Sequence, residues 1–290
     1  MANSSVSVPE IKMDAFMPAE MAAKAEAAGI KKATGDALQL FALAILAGAF
    51  IGLGAIYCTT VLAGTSGLPF GVQRLLAGLV FCLGLILVIV GGAELFTGNN
   101  LIVMAWANKK VTTAQLLRNW GIVYAGNFVG SVATAAIMFF SKQWSFGGGA
   151  VGLTALNIAN SKSALDFIPA IALGIVCNAM VCMAVWLCFS ARSTTDKILA
   201  IIFPISGFVA AGFEHSVANM YFIPIGLFIK GGADASFWSA IGKTASDFGV
   251  LTWGNFFLKN LLPVTIGNII GGAVMVGVVY WFIYLRGKKK

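Results

Sequence analysis

Residues 211 to 220 read AGFEHSVANM and place a glutamate and a histidine inside strongly apolar sequence. The preceding stretch reads KILAIIFPISGFVA, and the following stretch reads YFIPIGLFI. His215 is the only histidine among the 290 residues. An ionisable side chain at membrane depth is costly and usually marks a functional site or a paired group. The stretch therefore predicts an interrupted apolar helix with a candidate site at the interruption.

The composition around this stretch is that of a membrane protein. The chain is 59% hydrophobic and 10% charged, whereas a soluble domain is about half apolar and a quarter charged. A helix needs roughly 20 apolar residues to cross a bilayer. The sequence predicts an all-α integral membrane protein with six transmembrane helices, in residues 38–68, 75–107, 120–141, 167–191, 198–229 and 260–285.

Charge and cysteine patterns exclude several other classes. The basic residues lie at segment ends without interleaved aromatic residues, which argues against nucleic-acid binding despite the net charge of +8. The five cysteines lie in apolar segments without metal-ligand spacing, so we expect reduced packing residues and no metal or cofactor. The N-terminus lacks the pattern of a cleaved signal peptide.

Loop charges predict the topology and the domain organisation. Thirteen of the nineteen Lys and Arg residues fall on the side of the two termini, which predicts that both termini are cytoplasmic. Residues 1–35 form a cytoplasmic segment with a helix framed by Pro18 and Gly29. We expect this helix to lie on the membrane or to pack under the bundle. A six-helix channel domain at 36–286 and a basic tail at 287–290 follow.

The two halves of the chain resemble each other. Asn99 follows Glu94 by five positions, and Asn219 follows Glu214 by the same spacing. Other motif pairs are Gly126-Asn127-x-x-Gly130 with Gly267-Asn268-x-x-Gly271, and Gly48-x3-Gly52 with Gly174-x3-Asn178. Because each copy has three spans, the second copy must be inverted in the membrane. Inverted repeats with matched broken helices point to a permeation site at the midplane.

The glutamates at the breaks are predicted to stabilise the loops together with Asn99 and Asn219. We expect Glu94 and Glu214 to accept hydrogen bonds from the broken backbone, because a fixed carboxylate would repel an anion. The half-helix N-termini, in contrast, carry unpaired N–H groups at a positive dipole end that attracts anions.

Four stretches carry a resemblance to a known family: ELFTGNN, RNWGIVYAGNFVG, GFEHSVANM and PVTIGNIIGG. With them the chain resembles the formate/nitrite transporter family from about Met17 to Arg286, and most of all its bacterial formate-channel branch. The resemblance implies an aquaporin-like fold, a homopentamer with a pore in each protomer, and pH-dependent formate transport across the bacterial inner membrane. It also allows a cytoplasmic enzyme of formate metabolism as a partner.

The resemblance also implies roles for individual residues. His215 corresponds to the central pore histidine, Thr97 and Asn178 to polar groups beside it, and Lys162 to a lysine of the outer vestibule. The helix at 18–28 corresponds to a mobile element that responds to pH. The family's apolar constrictions fall at Phe81, Leu85, Leu95, Val181 and Phe208.

Several mechanisms and functions remain open at this point. Protonated His215 could neutralise an anion by charge or pass it a proton, whereas a neutral His215 could simply shape its loop. Thr97 could merely cap its loop, Asn178 could tie helices together, and the apolar residues could be core. Nitrite or hydrosulfide is the alternative permeant.

Functions of other classes fit less well. An intramembrane enzyme would need a nucleophile–base set or a metal cluster, and a water channel would carry paired Asn-Pro-Ala motifs. A structural scaffold would have no need for two matched breaks.

Overall fold

The computed structural model describes residues 14–65 and 67–287, and helices make up most of this part. Residues 1–13 of the predicted N-terminal segment and 288–290 of the basic tail lie outside it. The principal helices are α1 (Pro18–Ala33), α2 (Ala37–Gly64), α3 (Phe70–Gly91), α4 (Val103–Ala107), α5 (Thr113–Phe140), α6 (Ala150–Ser163), α7 (Phe167–Ser190), α8 (Thr194–Ala211), α9 (Ser216–Gly232) and α10 (Ala235–Ile241).

The last span is irregular along its length. It runs through Trp253–Asn255 (α11), a π-helical turn at Phe256–Leu261, Leu262–Ile269 (α12), a π-helical segment at Ile270–Val278 and Val279–Tyr284 (α13). Six helical stretches in the described part are long and apolar enough to span a membrane, which confirms the predicted number.

Both predicted interruptions are present, and a glycine ends each preceding helix. Gly92 follows α3 with φ +79°, and Gly212 follows α8 with φ +78°, a backbone conformation that glycine adopts without steric cost. The chain then runs irregularly before a 3-10 turn at Gly98–Ile102 leads into α4. After the second glycine, α9 begins at Ser216. The second and fifth spans are therefore each two shorter pieces.

Matched hydrogen bonds support the internal duplication. The Asn127 amide donates to the carbonyls of Ala44 (2.8 Å) and Glu94 (2.9 Å). The Asn268 amide donates to the carbonyls of Gly174 (2.8 Å) and Glu214 (2.9 Å) in the same way. Each asparagine thus connects the first membrane span of its half to the break in the second span.

These contacts correct one predicted pairing. The carbonyl of Ala44, not that of Gly48, is the partner matched to the carbonyl of Gly174, so Gly48 corresponds to Asn178. The sequence pairing of Gly48 with Gly174 is wrong by four residues, because one helical turn returns a small residue to the same face and leaves the register ambiguous.

Helix α1 packs under the bundle, the second of the two predicted placements. It continues past Gly29 to Ala33, so the predicted end at that glycine is wrong. A Cβ at Gly29 would lie 3.3 Å from Ala105 Cβ and 3.4 Å from Ile102 Cα. The glycine therefore allows close packing against the break in the second span instead of ending the helix.

A clasp of Phe16, Lys24, Ser190 and Arg192 fastens the segment before α1. The Lys24 ammonium lies 3.0 Å from the centroid of the Phe16 ring, and the Arg192 guanidinium carbon lies 3.5 Å from it. Phe16 N–H donates to the Ser190 carbonyl, and the Ser190 hydroxyl donates to the Phe16 carbonyl, both at 3.1 Å. Burial and the nearby Arg192 lower the pKa of Lys24. The clasp thus joins the N-terminal segment to the α7–α8 loop.

Candidate functional site

A cluster of four polar side chains lies at the first break. Lys32 Nζ lies 2.8 Å from Glu94 Oε1 and 2.9 Å from Asn99 Oδ1. The Asn99 amide donates to Glu94 Oε2 (2.7 Å) and to Asn119 Oδ1 (3.0 Å). The Asn119 amide donates to the Lys32 carbonyl at 2.8 Å and closes the ring of contacts. We call these four residues the first cluster.

The second break carries the same cluster. Lys162 Nζ lies 2.7 Å from Glu214 Oε1, and the Asn219 amide donates to Glu214 Oε2 at 2.7 Å. The Asn219 amide also donates to Asn260 Oδ1 (2.7 Å), and the Asn260 amide donates to the Lys162 carbonyl (3.0 Å). We call these four residues the second cluster. A charge buried at a break is thus neutralised in the same way in both halves.

The clusters correct the predicted surroundings of the two glutamates. The donors to the Glu94 and Glu214 carboxylates are lysine and asparagine side chains, not the backbone N–H groups of the loops. Side-chain amides also fix the loop backbone, since Asn127 and Asn268 accept from Phe96 N–H and Ser216 N–H at 2.9 Å each. Lys162 is ion-paired at the end of α6, so its charge is shared with Glu214.

Sequence reasoning missed Lys32, Asn119 and Asn260. The available signal was the spacing from each lysine to the aspartate that precedes a span, since Lys32 and Asp36 match Lys162 and Asp166. Helix α1 therefore matches α6, and the N-terminal helix belongs to the first copy.

Two cavities lie at opposite ends of the bundle. The Lys32 cavity, of about 460 Å³, is lined by the start of α2 at Asp36 and Leu40 and by the end of α7 at Phe189. The Lys162 cavity, of about 410 Å³, is lined by the end of α2 at Leu62 and by Leu173 near the start of α7. Helices α2 and α7 therefore run in opposite directions between the cavities, as an inverted second copy predicts.

Both cavities carry an excess of one positive charge with His215 neutral. The Lys32 cavity has three lysines (Lys31, Lys32, Lys197) against two carboxylates (Asp36, Glu94). The Lys162 cavity has Arg74 and Lys162 against Glu214. A cleft with positive potential between apolar walls raises the local concentration of anions. Both entrances therefore favour an anion over a cation.

His215 and Thr97 meet between the two breaks. Thr97 Oγ1 lies 2.9 Å from His215 Nε2, and both residues are buried. His215 also lines the Lys162 cavity, whereas Thr97 lines neither cavity. The bond joins the loop of the first half to the loop of the second, as the prediction that both residues share one site requires.

The second nitrogen of the imidazole determines its tautomer. His215 is the N-cap of α9, and Nδ1 accepts from Ala218 N–H at 3.0 Å. Because Nδ1 is an acceptor, the proton of the neutral ring is assigned to Nε2 and donates to Thr97 Oγ1. A proton on Nδ1 would face the Ala218 N–H and break the cap. This arrangement holds His215 neutral, as an N–H donor.

The predicted constriction residues fall on both sides of this bond. Phe81 and Phe208 line the Lys162 cavity, with ring centroids 5.8 Å apart in an edge-to-face contact. Leu85 and Leu95 line the Lys32 cavity. Val181 is buried and lines neither cavity. Apolar side chains therefore line both cavities, and on the Lys162 side they lie beside His215.

Asn178 does not point a free amide at either cavity. Its Nδ2 lies 2.7 Å from the Asn268 carbonyl, 3.0 Å from Asn100 Oδ1 and 3.3 Å from the Thr97 carbonyl. An amide has two N–H donors, and these acceptors occupy both. The alternative in which Asn178 ties helices together therefore describes this conformation.

The two halves share the residues of the polar clusters but differ at the residues of the central bond. The cluster residues occur in both copies, and a spacing of 120 residues relates Glu94 to Glu214. The same spacing pairs His215 with Leu95 and Thr97 with Val217. The two polar groups of the central bond therefore have apolar counterparts, and the site exists once in each chain.

Known proteins resemble this chain along most of its length. A sequence model described as "Formate/nitrite transporter" matches residues 19–282. The formate channel FocA of Escherichia coli (strain K12) is 47% identical over 273 residues, covering 94% of this chain and 96% of that protein. The formate channel FocA of Haemophilus influenzae is 43% identical over 264 residues, covering 91% and 93%.

Solved structures agree with these matches. A structure described as a pentameric formate channel with formate bound has a TM-score of 0.81 and 45% identity. The match covers 86% of this chain and 98% of that one. A second, described as an FNT family ion channel, has a TM-score of 0.75 and 28% identity, covering 91% and 98%.

Proposed function

Because the chain belongs to the formate/nitrite transporter family, a family of channels and transporters, we propose that it conducts formate and related small monovalent anions across the bacterial inner membrane. In this proposal five copies assemble and each contains its own pathway, which the relative described as a pentameric formate channel supports. Both termini face the cytoplasm, as the distribution of Lys and Arg favours.

The observation that carries the proposal is the buried His215–Thr97 bond between two positively charged cavities. An anion is drawn into either cavity by the excess positive charge and then meets apolar side chains. Moving a bare carboxylate past Phe81 and Phe208 would be costly, because a charge loses its hydration there. A neutral acid loses much less, so a proton must reach the permeant before it crosses.

His215 supplies the hydrogen-bond donor that holds the anion while it is protonated. With Nδ1 held by Ala218 N–H, the Nε2–H can turn from the Thr97 hydroxyl to a carboxylate oxygen. The anion arriving from the Lys162 cavity would thereby meet a neutral donor rather than a fixed cation. The proton that neutralises the anion then comes from solvent by way of the cavity. Uptake rises as pH falls because the fraction of formic acid rises.

The test is formate uptake into proteoliposomes from pH 5 to 8, for the wild type and His215→Asn. Asparagine is a good N-cap and can accept from Ala218 N–H, so we expect α9 and the fold to survive. The wild type should take up formate with a steep pH dependence, and His215→Asn should take up much less formate at every pH. Equal uptake by both proteins at every pH would refute the role of His215. A wild type that moves nitrite but not formate would refute the choice of permeant.

A further inference from the structure

A second group of buried residues departs from the duplication beside the central bond. By the spacings of the matched clusters, Asn178 corresponds to Gly48 and Asn100 corresponds to Met220. Gly272 corresponds to Ser131 by the spacing of 141 that relates Asn127 to Asn268. The second half therefore has Asn178 where the first half has Gly48, and it has Gly272 where the first half has Ser131.

These departures lie in contact with one another. Asn100 Oδ1 accepts from Asn178 Nδ2 at 3.0 Å, and the Asn100 amide donates to the Phe96 carbonyl at 3.1 Å. Both asparagines are fully buried. The Asn100 side chain thus bridges the first break to α7, a connection that Met220 cannot make at the matched position because methionine has no amide.

The last span makes room for the pair. A Cβ on Gly272 would clash with Asn178 Nδ2 and would lie 3.0 Å from Asn100 Cβ and 2.8 Å from Cys182 Sγ. Gly272 lies in the π-helical segment Ile270–Val278, whereas the matching stretch of α5 is an uninterrupted α-helix. π-Helical segments are rare and occur frequently at functional sites. The missing side chain of Gly272, within this π-helical segment, therefore leaves the space that Asn178 and Asn100 occupy.

The pair leads directly to the central bond. Asn178 Nδ2 and Cys182 Sγ both lie 3.3 Å from the Thr97 carbonyl. The hydroxyl of Thr97 is the partner of His215 Nε2. Asn100 decides which acceptor the second Asn178 N–H serves, because it competes with the Thr97 carbonyl for that hydrogen.

We infer that Asn100 is a positioning residue of the permeation site: it fixes the Asn178 amide and, through the Thr97 peptide, aims the Thr97 hydroxyl at His215. The transport consequence rests on the proposed function, whereas the effect on the imidazole does not. Without Asn100 the Asn178 amide turns fully to the Thr97 carbonyl, and the hydroxyl of that residue leaves its place beside Nε2.

The single histidine makes this testable by magnetic resonance. Protein labelled with ¹⁵N-histidine gives signals from His215 alone, and their shifts report which ring nitrogen carries the proton. We would compare wild type, Asn100→Leu and Thr134→Val in proteoliposomes. Thr134→Val is the matched control, because it also removes a buried side-chain hydrogen bond, from Oγ1 to the Gly130 carbonyl within α5 (2.8 Å).

We expect one Nε2–H signal set in the wild type and in Thr134→Val. Asn100→Leu should shift or split the His215 signals, and formate uptake at pH 6 should fall about tenfold. Wild-type signals and a wild-type pH profile in a folded Asn100→Leu oligomer would overturn the inference. Altered His215 signals in Asn100→Leu, together with a wild type that moves no formate, would support the inference and refute the proposed function.

A second variant covers the case in which Asn100→Leu does not assemble. Gly272→Ala places a Cβ against the Asn178 amide and keeps the Asn100 side chain in the protein. The same displacement of the His215 signals is expected, and signals identical to those of the wild type would overturn the inference.

Discussion

Lys32 and Lys162 hold the same position in the two halves of the bundle. Each ammonium lies within 2.8 Å of the glutamate at its own break, although one lysine ends the N-terminal helix and the other ends α6. The lysines are 130 residues apart, while the glutamates are 120 apart. The ten extra residues of the first half lengthen α2, α3 and the loop between them, so the duplication is preserved in contacts rather than in constant spacing.

The two ion pairs should differ in their contribution to stability. The side chains of Lys162 and Glu214 are 17% and 5% exposed, whereas those of Lys32 and Glu94 are 33% and 11% exposed. Removing one partner of a buried pair costs about 3–5 kcal/mol, and an exposed pair contributes far less. Lys162→Met should therefore lower the thermal midpoint more than Lys32→Met does.

Double variants control for the loss of a partner. Replacing the glutamate as well, in Lys162→Met/Glu214→Gln, should recover part of the loss because no unpaired carboxylate remains. Equal and small shifts for both lysine variants would show that neither pair behaves as a buried one.

Formate uptake should depend on the hydroxyl group of Thr97 and not on the branched shape of its side chain. Thr97→Val keeps the branched side chain, and Val217 occupies the matched position in the other half, so folding should be retained. Loss of the acceptor for His215 Nε2 should lower formate uptake about tenfold, whereas Thr97→Ser should stay within about twofold. Formate uptake rates and thermal midpoints of the wild type, Thr97→Val and Thr97→Ser test this prediction. Full uptake by Thr97→Val would mean that the hydroxyl only caps its loop.

Gly271 should not tolerate a side chain. A Cβ there would overlap the Ile175 carbonyl and would lie 3.1 Å from the Ala179 nitrogen, so two helices would have to separate. Overpacking of this kind costs about 1–3 kcal/mol or more. Gly271→Ala should reduce the yield of intact oligomer and its thermal midpoint. Gly121→Ala is the control, since the space around Gly121 in α5 is open, and a similar loss there would contradict the packing argument.

The clasp around Phe16 should hold α1 under the bundle. Cation–π contacts contribute about 0.5–1 kcal/mol each at exposed sites, and Phe16 makes two, with Lys24 and with Arg192. Phe16→Leu should therefore raise the detached population of α1 roughly fivefold to thirtyfold. Trypsin cleavage at Lys24 measures this, with Phe146→Leu as a control at an exposed phenylalanine on another loop. Unchanged cleavage in Phe16→Leu would show that other contacts fasten the helix.

The sequence by itself determined the six spans, the two breaks and the place of the lone histidine at the second break. Apolar length fixes the number of spans, because a bilayer admits only helices of sufficient length here. Gly92 and Gly212 determine where the broken helices end, because each adopts a backbone conformation that other residues rarely take. His215 was conspicuous as the lone histidine in apolar sequence.

Only the tertiary structure decided which polar groups meet. Lys32, Asn119 and Asn260 lie on helices remote in sequence from the breaks, and no local pattern shows that they complete the two clusters. The register of Gly48 against Gly174 failed for the same reason, since small residues recur on a helix face at each turn. Local sequence fixes where a helix stops because backbone geometry is local. Which buried side chains form hydrogen bonds with each other depends on packing between helices that are distant in sequence, and only the fold sets that packing.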